Sequence, residues 1–169
     1  ATWRASPDWG AKLGYNARSL EIVNREAVEM LLPLRDEFEK AGGQPVVVSG
    51  NIGPRGDGYS PTGVMSAGEA EAYHAFQVGI FADAGADMIC AMTMNYVEEA
   101  IGVVNAAKAA GMPVAIAFTV ETDGRLPTGQ TLAEAIRQTD AATDGHAAYF
   151  MVNCAHPDHF AGVLAGEDW

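Results

Sequence analysis

The sequence has only two cysteines, Cys90 and Cys154, in 169 residues, so no disulfide framework holds it together. Basic residues are scarce as well. Ten Lys and Arg stand against 22 Asp and Glu, a formal charge of −12 that repels a phosphate backbone and an anionic bilayer alike. Nucleic acid and membrane surfaces are therefore poor partners. Long apolar runs are missing too: Val114 to Phe118 and Phe150 to Val152 fall far short of the roughly 20 residues a bilayer-spanning helix needs. With no charged-then-apolar leader before Ala1 and no disulfide framework, a reducing cytoplasm is the expected compartment. The chain opens Ala1-Thr-Trp-Arg4 without an initiator Met and stops at Glu167-Asp-Trp169 without a closing helix signal, so it is expected to be a piece of something longer.

What is present is a regular alternation of elements in a chain 49% hydrophobic, enough for one substantial core. Leu20, Val23, Ala27, Leu31, Leu34 and Phe38 recur at helical spacing, with Pro33 an irregularity inside the helix and Gly42-Gly43 at its end. Pro45 to Ser49 reads as a short buried strand. Ser66 with Glu69 forms a capping box for a helix to about Gly85, and Asp87 to Ala91 is the next strand. Asn95 is expected to cap a helix ended by Gly111, with Glu98 and Glu99 in its favourable first turn. Pro113 to Thr119 is a strand, Thr131 with Glu134 caps another helix, and Ala147 to Asn153 is the last strand. Strands separated by single helices are consecutive βαβ units, so the sheet is expected to be parallel and the class α/β. An open doubly wound sheet and a (β/α)8 barrel both fit the pattern. Length alone favours the open sheet, because a barrel typically takes about 250 residues.

Ligands of parallel α/β folds bind just after the strands. Those positions are Ser49-Gly50-Asn51, Met92 to Asn95, Thr119 to Glu121 and Asn153 to His156. The glycine-rich stretch Ser49 to Tyr59 lacks the Gly-Lys-Ser/Thr ending of a P-loop and is not followed at once by a helix, so it reads as a wide active-site loop. Its glycines would then take strained backbone angles, with Arg55 and Asp57 solvated. Cys154, after the last strand and before His156-Pro157, is expected to face the mouth of the site as nucleophile, metal ligand or small apolar group, whereas Cys90 is assigned to the core. Cys154, His156 and His159 spell Cys-x-His-x-x-His, but three ligands within six residues across a proline strain a tetrahedral zinc site. His74 reads as a surface or satisfied core residue, and His146 has no visible partner.

Four motifs in register carry a resemblance. Ala1-Thr-Trp-Arg-Ala-Ser6 is similar to Thr-x-Thr-Tyr-Gln-Ala-Ser, and Val48-Ser-Gly-Asn-Ile-Gly-Pro54 to Gly-Ser-Val-Gly-Pro. Gly85-Ala-Asp-Met-Ile89 with Thr93 and Glu98-Glu99-Ala100 is similar to Gly-x-Asp-x-x-x-x-Glu-Thr followed by Glu-Ala, and Met151-Val-Asn-Cys154 with Pro157 to Gly-Val-Asn-Cys-x-x-Pro. Over nearly its whole length the chain resembles the zinc-dependent homocysteine S-methyltransferase family. The resemblance implies a (β/α)8 TIM-type barrel of which residues 1–169 supply roughly strands two to six, overriding the length argument. It implies a methyltransferase of methionine biosynthesis in which zinc holds the homocysteine sulfur as a thiolate that attacks a small-molecule methyl donor. By position Cys154 is the zinc ligand and catalytic residue, while Ser49, Gly50, Asn51, Thr93 and Asn153 line the homocysteine pocket.

The departures from that pattern are specific. The family's Gly-Gly-Cys-Cys motif, source of two more zinc ligands, and its early Asp-Gly-Gly strand are absent from these residues, which leaves activity of the chain alone open. Met92 stands where the family has a Glu expected to hold the amino group of homocysteine, and His156 reads as an incidental substitution. Two alternatives stay open: a metal-free homologue or fragment acting as a binding module, and a different barrel enzyme of lyase type. A half-open barrel exposes strand edges, so a homo-oligomer or completion by further barrel segments is expected.

Overall fold

A computed structural model describes residues 2–166; Ala1 and the terminal Glu167, Asp168 and Trp169 lie outside the described residues. Three helices come first: α1 (Pro7–Lys12), α2 (Ala17–Glu29) and α3 (Leu31–Lys40). The sequence periodicity had suggested one long helix in place of α2 and α3. Pro33 has no N–H to return to the carbonyl of Glu29, so the hydrogen-bond ladder breaks and the chain divides at Met30. In α3, Pro33 occupies the first turn, where a missing donor costs nothing.

Four strands and four helices then alternate: β1 (Ser49–Ile52), α4 (Ala67–Asp83), β2 (Met88–Met94), α5 (Val97–Ala109), β3 (Val114–Phe118), α6 (Leu132–Thr143), β4 (Ala147–Val152) and α7 (Pro157–Ala165). The capping boxes Ser66/Glu69 and Thr131/Glu134 form as the sequence indicated, opening α4 and α6. The first strand does not. Pairing begins at Ser49 instead of Pro45 because side chains take the preceding donors: Val46 N–H goes to Glu39 at 2.8 Å and Val48 N–H to Asp87 at 2.7 Å.

All pairs are parallel, and the strand order is β1-β2-β3-β4. A doubly wound sheet reverses its order at a switch point, and here each strand lies beside the one before it, as around a barrel. Length pointed the other way because it counts residues, whereas the direction of winding is a matter of which strands pair. Residues alternate across the sheet. Ile52, Ile89, Ala91, Ile116 and Phe118 are buried beneath the helices, with Phe150 stacked on Phe118. The opposite face carries Asn51, Cys90, Ala115 and Tyr149 at one level, matched by strand register. No pairing joins β1 to β4 among the described residues, and apolar grooves flank both outer strands. One is lined by Leu31, Leu34 and Phe38, the other by Leu132, Phe150 and Phe160. No helix of the described residues is long and apolar enough to cross a membrane.

The tightest helix contact is α4 against α5. A β-carbon at Gly102 would overlap the Ala70 methyl and the backbone of α4. Gly102→Ala is therefore expected to destabilise the fold by about 1–3 kcal/mol, measured by urea denaturation. The capping carboxylates Glu69 and Glu134, each accepting from a hydroxyl and a backbone N–H, are held below the ordinary glutamate value of 4.5. Their contribution is complete above that value and is lost as pH falls through the lowered folded value. Between pH 5 and 2 the double variant Glu69→Gln/Glu134→Gln is expected to lose less stability than the wild type, followed by thermal denaturation against pH.

Candidate functional site

The C-terminal ends of β2 and β4 are joined above β3 by one side chain. Asn153 Oδ1 accepts the backbone N–H of Thr93 at 2.9 Å, and Asn153 Nδ2 donates to Thr93 Oγ1 at 2.8 Å. This is a two-point clasp between residues 60 apart in sequence. The ladder runs on beneath it, with Thr119 N–H on Met94 O at 3.0 Å and Asn153 N–H on Phe118 O at 3.1 Å. Thr93 is held at φ 60° and Cys154 at φ 54°, in the left-handed region that resists β-branched and most other side chains. The β2–β3 register shifts between Ala91 and Met94, which turns Thr93 toward the rim.

Cys154 is exposed there. Its sulfur accepts from Asn153 Nδ2 at 3.3 Å and from Thr93 Oγ1 at 3.7 Å. The nearby Cys154 thiol, and after it partial burial, pushes the Tyr59 hydroxyl above its usual range. Tyr59 comes from the connection between β1 and α4, residues 53–66, which crosses the mouth. Gly58 lies against the Thr93 methyl, 3.0 Å from where a β-carbon would stand. Gly53 gives passage to the Trp3 indole. Of the loop glycines only Gly63 has positive φ, so Gly50, Gly53 and Gly58 answer to close approach and not to the backbone angles the sequence suggested.

Several tethers hold this loop. Arg4 donates to the carbonyls of Pro54 and Gly56 at 3.3 and 2.9 Å. Asn95 Nδ2 donates to Asp57 O at 2.8 Å, so Asn95 serves the loop, and Tyr96 stands at the N-cap of α5 with no side-chain cap bond. Arg55 pairs with Asp8 at 2.6 Å and lies over the Tyr73 ring at 4.7 Å. Asp57 Oδ1 accepts the N–H groups of Tyr59 and Ser60, bonds that keep its carboxyl below the ordinary range. Neither Arg55 nor Asp57 is merely solvated. Glu99 is not a surface residue of its helix: it is fully buried, accepts Arg55 N–H at 2.7 Å, and contacts His74 Nε2 at 2.9 Å.

The structure therefore brings Thr93, Asn153 and Cys154 together. It does not bring Ser49 with them. Ser49 is level with Met88, five residues before Thr93 and some 16 Å down the strand at ~3.3 Å per residue. Asn51 faces the open side of the sheet level with Cys90, with its carbonyl taken by Thr2 Oγ1, and Gly50 faces the Phe81 ring of α4. Cys90 is half-buried on the open face, its thiol pushed up by burial and donating to Met92 Sδ at 3.4 Å. Met92 thus places a thioether on that face. His156 caps α7, accepting from Asp158 N–H, and His146 contacts Met112 O at 3.3 Å. No group of three His, Cys, Asp or Glu side chains among the described residues stands ready to hold a metal ion. The sequence assigns no site role to Tyr59, Arg4 or the His74–Glu99 pair, although Tyr59 stands in the glycine-rich loop and Arg4 and Glu99 in two of the motifs that carry the resemblance.

A parallel sheet of four strands wound in one direction, with a thiol on its C-terminal rim, defines a fragment of a (β/α) barrel. The chain belongs to the homocysteine S-methyltransferase family, whose family model matches residues 1–166. The homocysteine methyltransferase MmuM from Escherichia coli in its metallated form has the same fold, with a TM-score of 0.81 and 21% identity over 94% of this chain. Its oxidised form gives a TM-score of 0.81 over 94% of this chain, and its apo form 0.71 over 86%, both at 21% identity. This chain spans 58%, 57% and 54% of those three structures. Comparison with curated proteins gives no match.

Asn153→Ala leaves the part-buried Thr93 N–H without a partner and is expected to cost about 1–3 kcal/mol in urea denaturation. Asn153→Asp keeps the acceptor and loses the donor, and is expected to cost less.

Proposed function

We propose that this chain forms the acceptor side of a homocysteine S-methyltransferase, which moves a methyl group from a small-molecule donor to the sulfur of homocysteine. The observation that carries the proposal is the exposed Cys154 sulfur on the barrel rim, gathered with Thr93, Asn153 and Tyr59 in a chain matched by that family over residues 1–166. In the reaction the acceptor sulfur forms a bond to the methyl carbon as the bond from that carbon to the donor breaks. The thiol proton leaves, and the products are methionine and the demethylated donor. A free thiol is mostly protonated at neutral pH, with a pKa near 8.5, so the acceptor has to be ionised for efficient attack.

The family implies zinc for that task, and bound zinc would supply the charge that keeps a thiol ionised. The donor set here fits in part. Cys154 is a soft ligand at an open position, but the other thiol, Cys90, faces the sheet beside Met92, and the described residues group no further ligands with Cys154. They supply one zinc ligand and not a complete site, so no step is derived through the metal. The chain's own part is to hold Cys154 in place through Asn153 and Thr93, and to cover the mouth with the 53–66 loop. Cys154, Thr93, Asn153 and Tyr59 are assigned to the pocket, with Asn51 on its wall below. Met92 offers no charge to an amino group. That thioether favours a second reading, a metal-free homologue that binds an amino-acid thiol without transferring a methyl group.

The test is methionine formation from homocysteine and a sulfonium donor with added zinc. Cys154→Ser is expected to lower the rate more than about 100-fold, and Asn153→Ala, acting one shell out, about 10- to 100-fold. Undiminished activity in Cys154→Ser would sink the proposal. Homocysteine binding by the metal-free wild type with no turnover would establish the second reading.

A further inference from the structure

We propose that Glu99, held by His74, is a positioning residue for the site. Its buried carboxylate fixes the 53–66 loop over the strand ends, and the loop in turn seats Gly58 against Thr93, the neighbour of the Cys154 sulfur. The inference rests on the reading of the Cys154 rim as the functional site.

The Glu99 side chain is 0% exposed and that of His74 1%. Carboxylates are almost never buried so completely unless paired, and burying one is costly even then. Both contacts use one oxygen: Oε1 takes the backbone N–H of Arg55 at 2.7 Å and faces His74 Nε2 at 2.9 Å. Glu99 Oε2 and His74 Nδ1 are buried with no partner. A pair selected only to join α4 to α5 would do as well or better as two apolar side chains of the same volume. An apolar pair cannot accept the N–H of Arg55.

The Arg55 bond matters for the stretch of loop just beyond it. Three side chains from one short segment reach the loop: Glu99 holds residue 55, Asn95 holds the carbonyl of residue 57, and the Tyr96 hydroxyl accepts the N–H of Met65 at 3.3 Å. Between the tethers at 57 and 65, Gly58 presses on the Thr93 methyl, whose hydroxyl donates to the Cys154 sulfur, and Tyr59 is the next residue of the loop. The Glu99 tether is the charge-assisted one, and such hydrogen bonds are about twice as strong as neutral ones. Its anchor does not move freely, because Gly102 seats α5 directly on the backbone of α4. Helix packing is thereby transmitted to a loop that covers a thiol.

The test is trypsin cleavage of the native protein at the Arg55–Gly56 bond, resolved by mass spectrometry. Cleavage under native conditions follows the population of the open loop. Glu99→Ala is expected to speed cleavage at Arg55 roughly tenfold or more relative to cleavage at Lys108, in the last turn of α5. Glu99→Gln keeps an oxygen acceptor and is expected to restore most of the protection. Gly102→Ala, which loosens the same helix pair without touching Arg55, is expected to raise both cleavages together. A Glu99→Ala rate at Arg55 that rises only in step with Lys108 would overturn the proposal, leaving Glu99 a helix-packing residue. In the methyl-transfer assay Glu99→Ala is expected to raise the KM for homocysteine several-fold more than it lowers kcat, an effect that shrinks in a Tyr59→Phe background. An unchanged KM with reduced kcat would also count against it. Absence of methyl transfer in the wild type would defeat the functional reading, and the cleavage ratio would still decide the role of Glu99.

Discussion

Two hydrogen bonds from one amide side chain hold the upper edge of this sheet. Asn153 presents an acceptor to the Thr93 N–H and a donor to the Thr93 hydroxyl, and so ties the strands on either side of β3 at the level where they end. A side-chain amide carries both groups on one carbon, at that spacing. The clasp also sustains the two left-handed residues, Thr93 and Cys154, which have no local reason to adopt that conformation. Backbone strain of this kind persists where the surroundings over-determine it. Here it aims a threonine hydroxyl and a cysteine sulfur at one another.

A second layer of order lies above the clasp. The loop from β1 to α4 is polar and glycine-rich, and it has no regular hydrogen-bond ladder of its own. It is held from several directions by Arg4, Asn95, Tyr96 and Glu99. Gly53 and Gly58 are places where something else comes close, the Trp3 indole and the Thr93 methyl. A loop of this make-up can be rigid where it crosses the rim while keeping side chains such as Tyr59 exposed to an incoming molecule. Below the rim, the open face of the sheet is lined by sulfur and amide groups, including Met92, Cys90 and Asn51.

Much of the fold was legible in the residues because its signals are local. A capping box spans three residues, and both Ser66/Glu69 and Thr131/Glu134 form as their spacing implied. Strand runs were placed to within a few residues, with the largest error at β1, where carboxylates from other elements take the N–H groups of Val46 and Val48. The site was legible in part. Cys154, Asn153 and Thr93 were marked by their place after strands and by resemblance to a family. Ser49 was marked by the same rule and lies far from them, since the rule depends on where a strand ends and that end is at Ile52. Glu99 looked like an ordinary first-turn acid, and nothing near it in sequence announces His74, 25 residues earlier.

The sequence by itself determined the alternation of helices and strands, the two capping boxes, the parallel sense of the sheet and the acidic surface, because each follows from interactions between residues a few positions apart or from composition. The pattern of helices and strands left the direction of winding open, which only a family resemblance indicated, and the tertiary structure alone decided that Asn153 clasps Thr93 and that a buried acid reaches a loop backbone. Those outcomes depend on partners tens of residues distant, whose meeting is set by strand order and helix packing and by no local preference.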